Sequence, residues 1–344
     1  MPGGPQWFQS LASVGYLGVN FFFVLSGFIL VYTYADRDFT LREFWLARFA
    51  RVYPAYGTSL ILALPMFSWM LIHLNFPFLA WAKEHLSLTC LMVATLSQAW
   101  IPQIASAWNP VAWSLAVEAF FYLCFPWCCW SMAKSRRFGS IAWMVAAWGA
   151  TLLITGSYVL LAPDGVAHTT SAYENLVWLN VVRFNPLACL PEFVFGMAAG
   201  FLFLRSEVPR SAGKWIALGG VIAFGFAVAY NQQIPYPMLH SGLLSPAFAA
   251  VIFGVALRPR CSSVLESRWL VLLGEASYSL YLLHFTLIWV AVATWGRGAA
   301  NPFANLAVIG ASIAVSLVSY KFIEQPARRR LRTLNLRQLS AAAA

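Results

Sequence analysis

The stretch YLGVNFFFVLSGFILVYTY, residues 16–34, decides the fold. It contains no charged side chain, and only Asn20, Ser26 and Thr33 interrupt its run of apolar and aromatic residues. An α-helix rises about 1.5 Å per residue, so a run of this length covers ~28 Å. That is close to the roughly 30 Å of a bilayer's hydrocarbon core. A helix at a protein–water surface carries one apolar stripe and one polar face. This one is apolar all round, and lipid is the solvent that permits it.

Moving outward, the same length recurs. Eight further segments read as spans: 53–74, 108–130, 138–161, 187–204, 215–230, 241–257, 277–295 and 303–322. A tenth apolar stretch, 86–101, is ambiguous between crossing and dipping in and returning. Of the 344 residues, 60% are hydrophobic and 10% are charged, against about 25% charged in a soluble domain. The expected architecture is therefore all-α: a polytopic integral membrane protein with about nine transmembrane helices plus one re-entrant or surface segment. Residues 16–324 read as a single membrane domain and 325–344 as a basic cytoplasmic tail.

Charge placement orients the chain. Loops that stay in the cytosol collect Lys and Arg. With 86–101 not crossing and the N-terminus outside, the inner loops hold Arg37, Arg42, Arg48 and Arg51, then Lys134, Arg136 and Arg137, then Arg205, Arg210 and Lys214, then Arg258, Arg260 and Arg268. The inner tail adds Lys321, Arg328, Arg329, Arg330, Arg332 and Arg337. Only Lys83, Arg183 and Arg297 fall outside. A crossing at 86–101 would reverse every later loop and destroy this pattern. The net charge of +10 is thus a membrane signature. No basic stretch alternates with exposed aromatics, so nucleic acid is excluded as a partner and the bilayer is the expected one. The six cysteines (Cys90, Cys124, Cys128, Cys129, Cys189, Cys261) form no CxxC pair and no zinc-like spacing, so they read as small apolar residues and no metal site is expected.

The first inner loop has the most to say about chemistry. Thr40 and Glu43 have capping-box spacing, which opens a helix by satisfying its free N–H groups. Leu41, Phe44, Trp45, Phe49 and Val52 follow as an apolar stripe, and Arg48 and Arg51 share a face three residues apart. The spacing predicts a short amphipathic surface helix, with Pro54 marking where the next span begins. Two guanidinium groups at one place suit bidentate capture of phosphate. Anchoring to lipid headgroups competes with that reading.

Ionisable groups inside spans are the second clue, since a charge at the bilayer centre costs roughly 2.5–3.5 kcal/mol on insertion scales and faces a cavity or a partner. Glu118 counts to mid-membrane, Glu192 lies nearer the outer face, and His284 lies on the cytosolic half of its span. Each can bind or deprotonate a hydroxyl, or serve as a structural tie. His73, His85, His168 and His240 sit at span ends or in loops and read as incidental. Ser26 and Gly27 interrupt an apolar helix and mark a packing face.

Taken together these segments resemble the acyltransferase-3 family of bacterial membrane O-acyltransferases. The strings that carry the resemblance are GYLGVNFFFVLSGFIL (15–30), RFARVYP (48–54), WSLAVEAFFYL (113–123), NPLACLPEFVFGMAAG (185–200), SYSLYLLHF (277–285) and IEQPARR (323–329). The resemblance implies a multi-pass protein of the bacterial inner membrane with a cytoplasmic C-terminus. It implies no bound cofactor but acyl-CoA as co-substrate, donating an acetyl or other short acyl group to a hydroxyl of a cell-surface glycan or lipid-linked sugar. The family's Arg-x-x-Arg pair maps onto Arg48 and Arg51 as donor ligands. Its WS-x-x-x-E-x-x-x-Y element maps onto Trp113, Glu118 and Tyr122, and its SGF element onto Ser26 and Gly27. These residues, with Glu192, are expected to line the acyl or acceptor channel. Family members carry their favoured base, a histidine, on a first helix that has no match here, so the chain is expected to begin after that helix. Glu118 and His284 remain the candidates for the base within the sequence. A transporter or flippase, or a truncated non-catalytic family member, are the competing readings. A transporter predicts internal repeats, and none is visible.

Overall fold

The computed structural model describes residues 13–134, 137–165, 176–257, 265–295 and 302–330, apart from the side chains of residues 77, 78, 302 and 303. Arg136, His168, Arg258, Arg260, Cys261, Arg297, Arg332 and Arg337 lie outside the described residues. In chain order the helices are α1 (Leu17–Tyr34), α2 (Leu41–His73), α3 (Pro77–Glu84), α4 (Leu86–Ala94), α5 (Trp113–Ala133), α6 (Arg137–Leu161), α7 (Val177–Phe184), α8 (Pro186–Leu204), α9 (Gly213–Ala229), α10 (Tyr236–His240), α11 (Ser245–Ala256), α12 (Arg268–Trp295) and α13 (Pro302–Ser319). A π-helical turn, Tyr320–Glu324, continues α13. No strand occurs among the described residues. Nine helical stretches there are long and apolar enough to cross a membrane. Large apolar side chains such as Ile72, Leu160, Trp269 and Leu306 stand exposed around them, a surface that only lipid or another apolar phase tolerates.

Four expectations are corrected. The predicted short surface helix and the span after Pro54 are one helix, α2, running 33 residues from Leu41 to His73 with Pro54 and Pro65 inside it. A proline removes one backbone donor and strains the carbonyl four residues back, but an apolar helix tolerates this when its neighbours satisfy the freed groups. Arg183, assigned to an outer loop, instead lies in the buried last turn of helix α7, because the candidate span here is Val177–Leu204 with its break at Asn185 and Pro186. The span holding His284 begins at Arg268 rather than 277, so His284 lies ~24 Å along its helix, past the midpoint. The helix holding Glu118 begins at Trp113 rather than 108, leaving Glu118 only ~8 Å from its start. The stretch 86–101 is α4 plus a 3-10 turn at Gln98–Trp100. Nine residues of α-helix cover ~14 Å, about half a bilayer. Residues 325–330 remain helical beyond the π turn, and 331–344 lie outside the described residues.

The described residues form two compact units, one drawn from within 1–38 and 117–263, the other from within 39–116 and 264–344. In the first, α1 and α6 pack on α8, and α9 packs on α11. Glycines set the first of these contacts. A Cβ built on Gly27 would lie 2.2 Å from the Phe193 carbonyl oxygen, and one on Gly196 would lie 2.0 Å from that of Val24. Only glycine lets the backbones approach so closely. Phe121 stacks on Phe193 at 4.6 Å, extending the packed face to α5. Arg205 donates to the carbonyls of Met132 (3.2 Å) and Ala133 (3.0 Å) and to Ser140 Oγ (3.1 Å). It thereby satisfies orphan acceptors at the C-terminus of α5.

In the second unit α12 packs against both α2 and α13. The Tyr56 and Tyr53 hydroxyls donate to the carbonyls of Val93 (2.7 Å) and Ala94 (2.9 Å), fixing the end of α4 to α2. Trp108 stacks on Phe67 at 4.7 Å and donates to the Leu60 carbonyl at 3.0 Å. Asn109 Nδ2 donates to the Leu282 carbonyl (2.9 Å), which anchors the irregular segment before α5 to α12.

Candidate functional site

The capping box predicted at the start of α2 is present. Glu43 N–H donates to Thr40 Oγ1 at 3.2 Å, and Thr40 N–H donates to Glu43 Oε2 at 3.0 Å. The capped end fixes the register of the turns that follow, and these carry Arg48 and Arg51. Arg48 is half-buried with its guanidinium 5.8 Å from the Phe44 ring centroid, and Arg51 is exposed. Both belong to the second unit, where the π turn also packs against α2.

That turn holds a group the sequence reading quoted but did not single out. Glu324 is fully buried, accepts a hydrogen bond from Ser279 Oγ at 2.9 Å and forms an ion pair with Arg328. Arg51 is close enough to act on the same carboxylate. The second unit thus gathers Arg51, Glu324, Arg328 and Ser279 from three elements. The signal was available: a glutamate at the end of an apolar run is as exceptional as one inside it. The span boundary drawn at 322 hid it.

Elsewhere in this unit, His284 is half-buried, and its Nδ1–H donates to the Tyr281 carbonyl at 2.7 Å. A ring nitrogen facing a carbonyl carries the proton, which leaves Nε2 as the basic atom of the neutral imidazole. Tyr281 donates to the Val111 carbonyl (2.9 Å) and shares a hydrogen bond with Ser114 (2.8 Å), so the WS element is tied to α12 through its serine.

The rest of that element divides. Glu118 and Tyr122 lie one turn apart on α5, both buried, with the Tyr122 hydroxyl donating to the Glu118 carboxylate. Trp113 is nine positions from Tyr122, about half a turn around the helix from it at 100° per residue. The structure therefore brings Glu118 and Tyr122 together and does not place Trp113 on their side. Ser26 is half-buried on α1, beside the Gly27 contact.

Glu192 sits in the first unit within a polar cluster that sequence reasoning only partly anticipated. Asn20 Nδ2 donates to both its carboxylate oxygens (3.1 and 2.8 Å) and to the His240 carbonyl, with all three residues buried. Arg183 bonds Asn180, reaches the Tyr236 hydroxyl at 3.4 Å, and lies 4.6 Å from the Phe184 ring centroid. The His240 ring stacks on Tyr16 at 5.1 Å. Gly242, with φ +81, closes the cluster; a Cβ there would meet Glu192 Cγ at 2.7 Å. Asn20 was visible as an amide within an apolar helix. Arg183 and His240 were not, because each broke an apolar run and so read as loop. With both oxygens engaged by one amide, Glu192 ties α1, α8 and the turn after α10 together. Glu192→Ala leaves that amide with the His240 carbonyl as its remaining acceptor and is expected to destabilise the fold by about 1–3 kcal/mol. Glu192→Gln, which still accepts, is expected to stay within about 1 kcal/mol, and thermal unfolding in detergent measures both.

Comparison with known proteins follows the same residues. The family described as "Acyltransferase domain" matches residues 2–321. The chain is 26% identical over 341 residues to acyltransferase MdmB of Streptomyces mycarofaciens, covering 93% of this chain and 83% of that protein. It is 29% identical over 323 residues to the exopolysaccharide production protein ExoZ of Rhizobium meliloti, covering 92% and 91%. It is 25% identical over 350 residues to O-acetyltransferase OatA of Staphylococcus aureus, covering 94% of this chain and 54% of that protein. No solved structure matches the chain.

Proposed function

The chain belongs to the acyltransferase-3 family of membrane acyltransferases, and we propose that it moves an acetyl or other short acyl group from acyl-CoA to a hydroxyl of a cell-surface glycan or lipid-linked sugar. One observation carries the donor side. Arg48 and Arg51 stand on one face of the capped first turns of α2, ahead of its long apolar run. They share a unit with a third guanidinium, Arg328. Such a ledge binds phosphate, and an acyl group attached to that phosphate carrier is delivered where the helix turns apolar. The names of two similar proteins, an exopolysaccharide production protein and an O-acetyltransferase, support a saccharide hydroxyl as acceptor.

Chemically, the acceptor oxygen attacks the thioester carbonyl, the C–S bond breaks, CoA leaves as the thiol, and a base takes the hydroxyl proton. Within this chain the groups suited to that proton are His284 Nε2 and the Glu118 carboxylate, the latter in hydrogen bond with Tyr122. Trp113, Ser26 and Glu192 are assigned to the walls of the acyl or acceptor path. The protein sits in the bacterial inner membrane with its C-terminus and Arg48 on the cytosolic side.

Two measurements test this. Reconstituted in proteoliposomes, the protein is expected to release free CoA thiol from acetyl-CoA only when a surface glycan is supplied, with the acetyl label recovered on the glycan as an ester. Glycan flux that ignores acetyl-CoA would identify a transporter instead. Reporter fusions at the α1–α2 junction are expected to read cytosolic, and an external reading would overturn the donor assignment.

A further inference from the structure

The geometry points to Arg328 as the residue that reads the 3′-phosphate of the donor, set apart from the Arg48–Arg51 pair and aimed by the buried carboxylate of Glu324. This rests on the acyl-CoA reading above and adds to it a second phosphate subsite on a different helix.

Three observations converge on that position. The last helix leaves α-geometry for the π turn Tyr320–Glu324, and such turns are rare and concentrate at functional sites. Arg328 comes one turn later. Glu324 is 0% exposed and Arg328 30% exposed, so the carboxylate is the fixed partner and the guanidinium reaches the surface. Ser279 Oγ holds the other carboxylate oxygen at 2.9 Å and is itself 3.3 Å from Ser319 Oγ, which immobilises the acid. The neighbouring acid, Glu275, accepts from the Tyr320 hydroxyl at 2.7 Å.

Charge and hydrogen-bond accounting then point to a ligand. Arg328 is paired with Glu324 and Arg51 adds its charge nearby, with Glu275 as the second acid of the cluster and Arg48 a further cation in the same unit. The Nε of Arg328 is buried and has no hydrogen-bond partner among the described residues. A buried donor left unmade costs about 1–3 kcal/mol, and a phosphate oxygen would satisfy it. Coenzyme A presents two separate anionic groups, a pyrophosphate and a ribose 3′-monoester. The Arg48–Arg51 pair, three residues apart on one helix, suits the contiguous pyrophosphate. A guanidinium on another helix suits the separate monoester, which it can grip in bidentate fashion.

The experiment compares CoA with 3′-dephospho-CoA by calorimetry on the full chain in nanodiscs. A charge-assisted hydrogen bond contributes about 1.5–3 kcal/mol, so the unmodified protein is expected to prefer CoA by about tenfold to 100-fold. Arg328→Ala is expected to abolish that preference while leaving dephospho-CoA binding within about twofold, and Arg328→Lys to restore part of it. Because Arg328→Ala strands a buried carboxylate, the double variant Glu324→Gln with Arg328→Gln carries the same test if the single one does not fold. An unchanged CoA preference in either variant, or equal weakening of both ligands, overturns the assignment. If the unmodified protein binds neither ligand, the acyl-CoA reading itself has failed. If it binds both and only the Arg48–Arg51 pair matters, that reading stands and this one falls.

Discussion

Replacing Arg48 and Arg51 together by alanine is expected to weaken acyl-CoA binding by about 100-fold or more and to abolish transfer, with the fold retained. The magnitude follows from two charge-assisted contacts at about 1.5–3 kcal/mol each. Arg51 is exposed and Arg48 half-buried, so the fold depends on them less than on the packed face of α2. Arg48 also covers the Phe44 ring, and for that reason Arg48→Lys with Arg51→Lys is the informative control. It keeps the positive charge and much of the apolar stem but loses the planar fork. Binding is expected to fall by roughly tenfold in that variant and to become more sensitive to salt. Anchoring by lipid headgroups predicts something else: membrane retention and folding would suffer in the alanine pair while acyl-CoA affinity in detergent stayed as it was. That outcome would remove the donor site.

Gly196→Leu is expected to eliminate folded protein. A Cβ at this position would lie 2.0 Å from the Val24 carbonyl oxygen and 2.9 Å from its Cα, and both are backbone atoms that no rotamer change can move. Gly27 meets the Phe193 carbonyl oxygen in the same way from the opposite helix. Forcing α1 and α8 apart costs at least the ~3 kcal/mol at the upper end of ordinary overpacking. It also pulls Asn20 away from Glu192, since these lie on the same two helices. Gly219 and Gly225 on α9 provide the contrast: a Cβ on either meets nothing within 4 Å. Alanine there is expected to be neutral or to stabilise by up to ~1 kcal/mol through helix propensity. Size-exclusion profiles of fluorescent fusions separate the two cases. A monodisperse, membrane-inserted Gly196→Leu protein would show that the helices do not rely on this contact.

Most of the architecture was legible because lipid imposes one rule on every segment: a crossing must be long, apolar and helical. That rule found α1, α6 and α9 within a few residues, and the distribution of arginines set aside 86–101, which folds as a nine-residue helix and a short turn. It failed where a polar residue sits inside the protein rather than at its border. Arg183 ended a hydrophobic run in the sequence, yet its charge is accommodated between Phe184, Tyr236 and Asn180. Pro54 looked like a boundary, and α2 runs straight through it. The site followed the same division. Residues that announce themselves by being charged within an apolar run, Glu118 and Glu192, were singled out, and Tyr122 with Glu118; Asn20, the partner of Glu192, was not. Tyr122 could be paired with Glu118 by helical spacing alone. The partnerships of Asn20 with Glu192 and of Ser279 with Glu324 span 172 and 45 residues, and nothing local encodes them.

The π turn at Tyr320–Glu324 also bears on how this chain should be aligned and engineered. A π turn holds one residue more than the α-helical turn it replaces. Removing a single residue there, Phe322 for example, would let the backbone relax into an uninterrupted α-helix. Because the wide turn absorbs its extra residue locally, the helix beyond it would keep its facing, and Glu324 and Arg328, four residues apart and both C-terminal to Phe322, would stay paired. A gap or an extra letter at this point in an alignment therefore marks the wide turn lost or gained, with the C-terminal surface left facing as before.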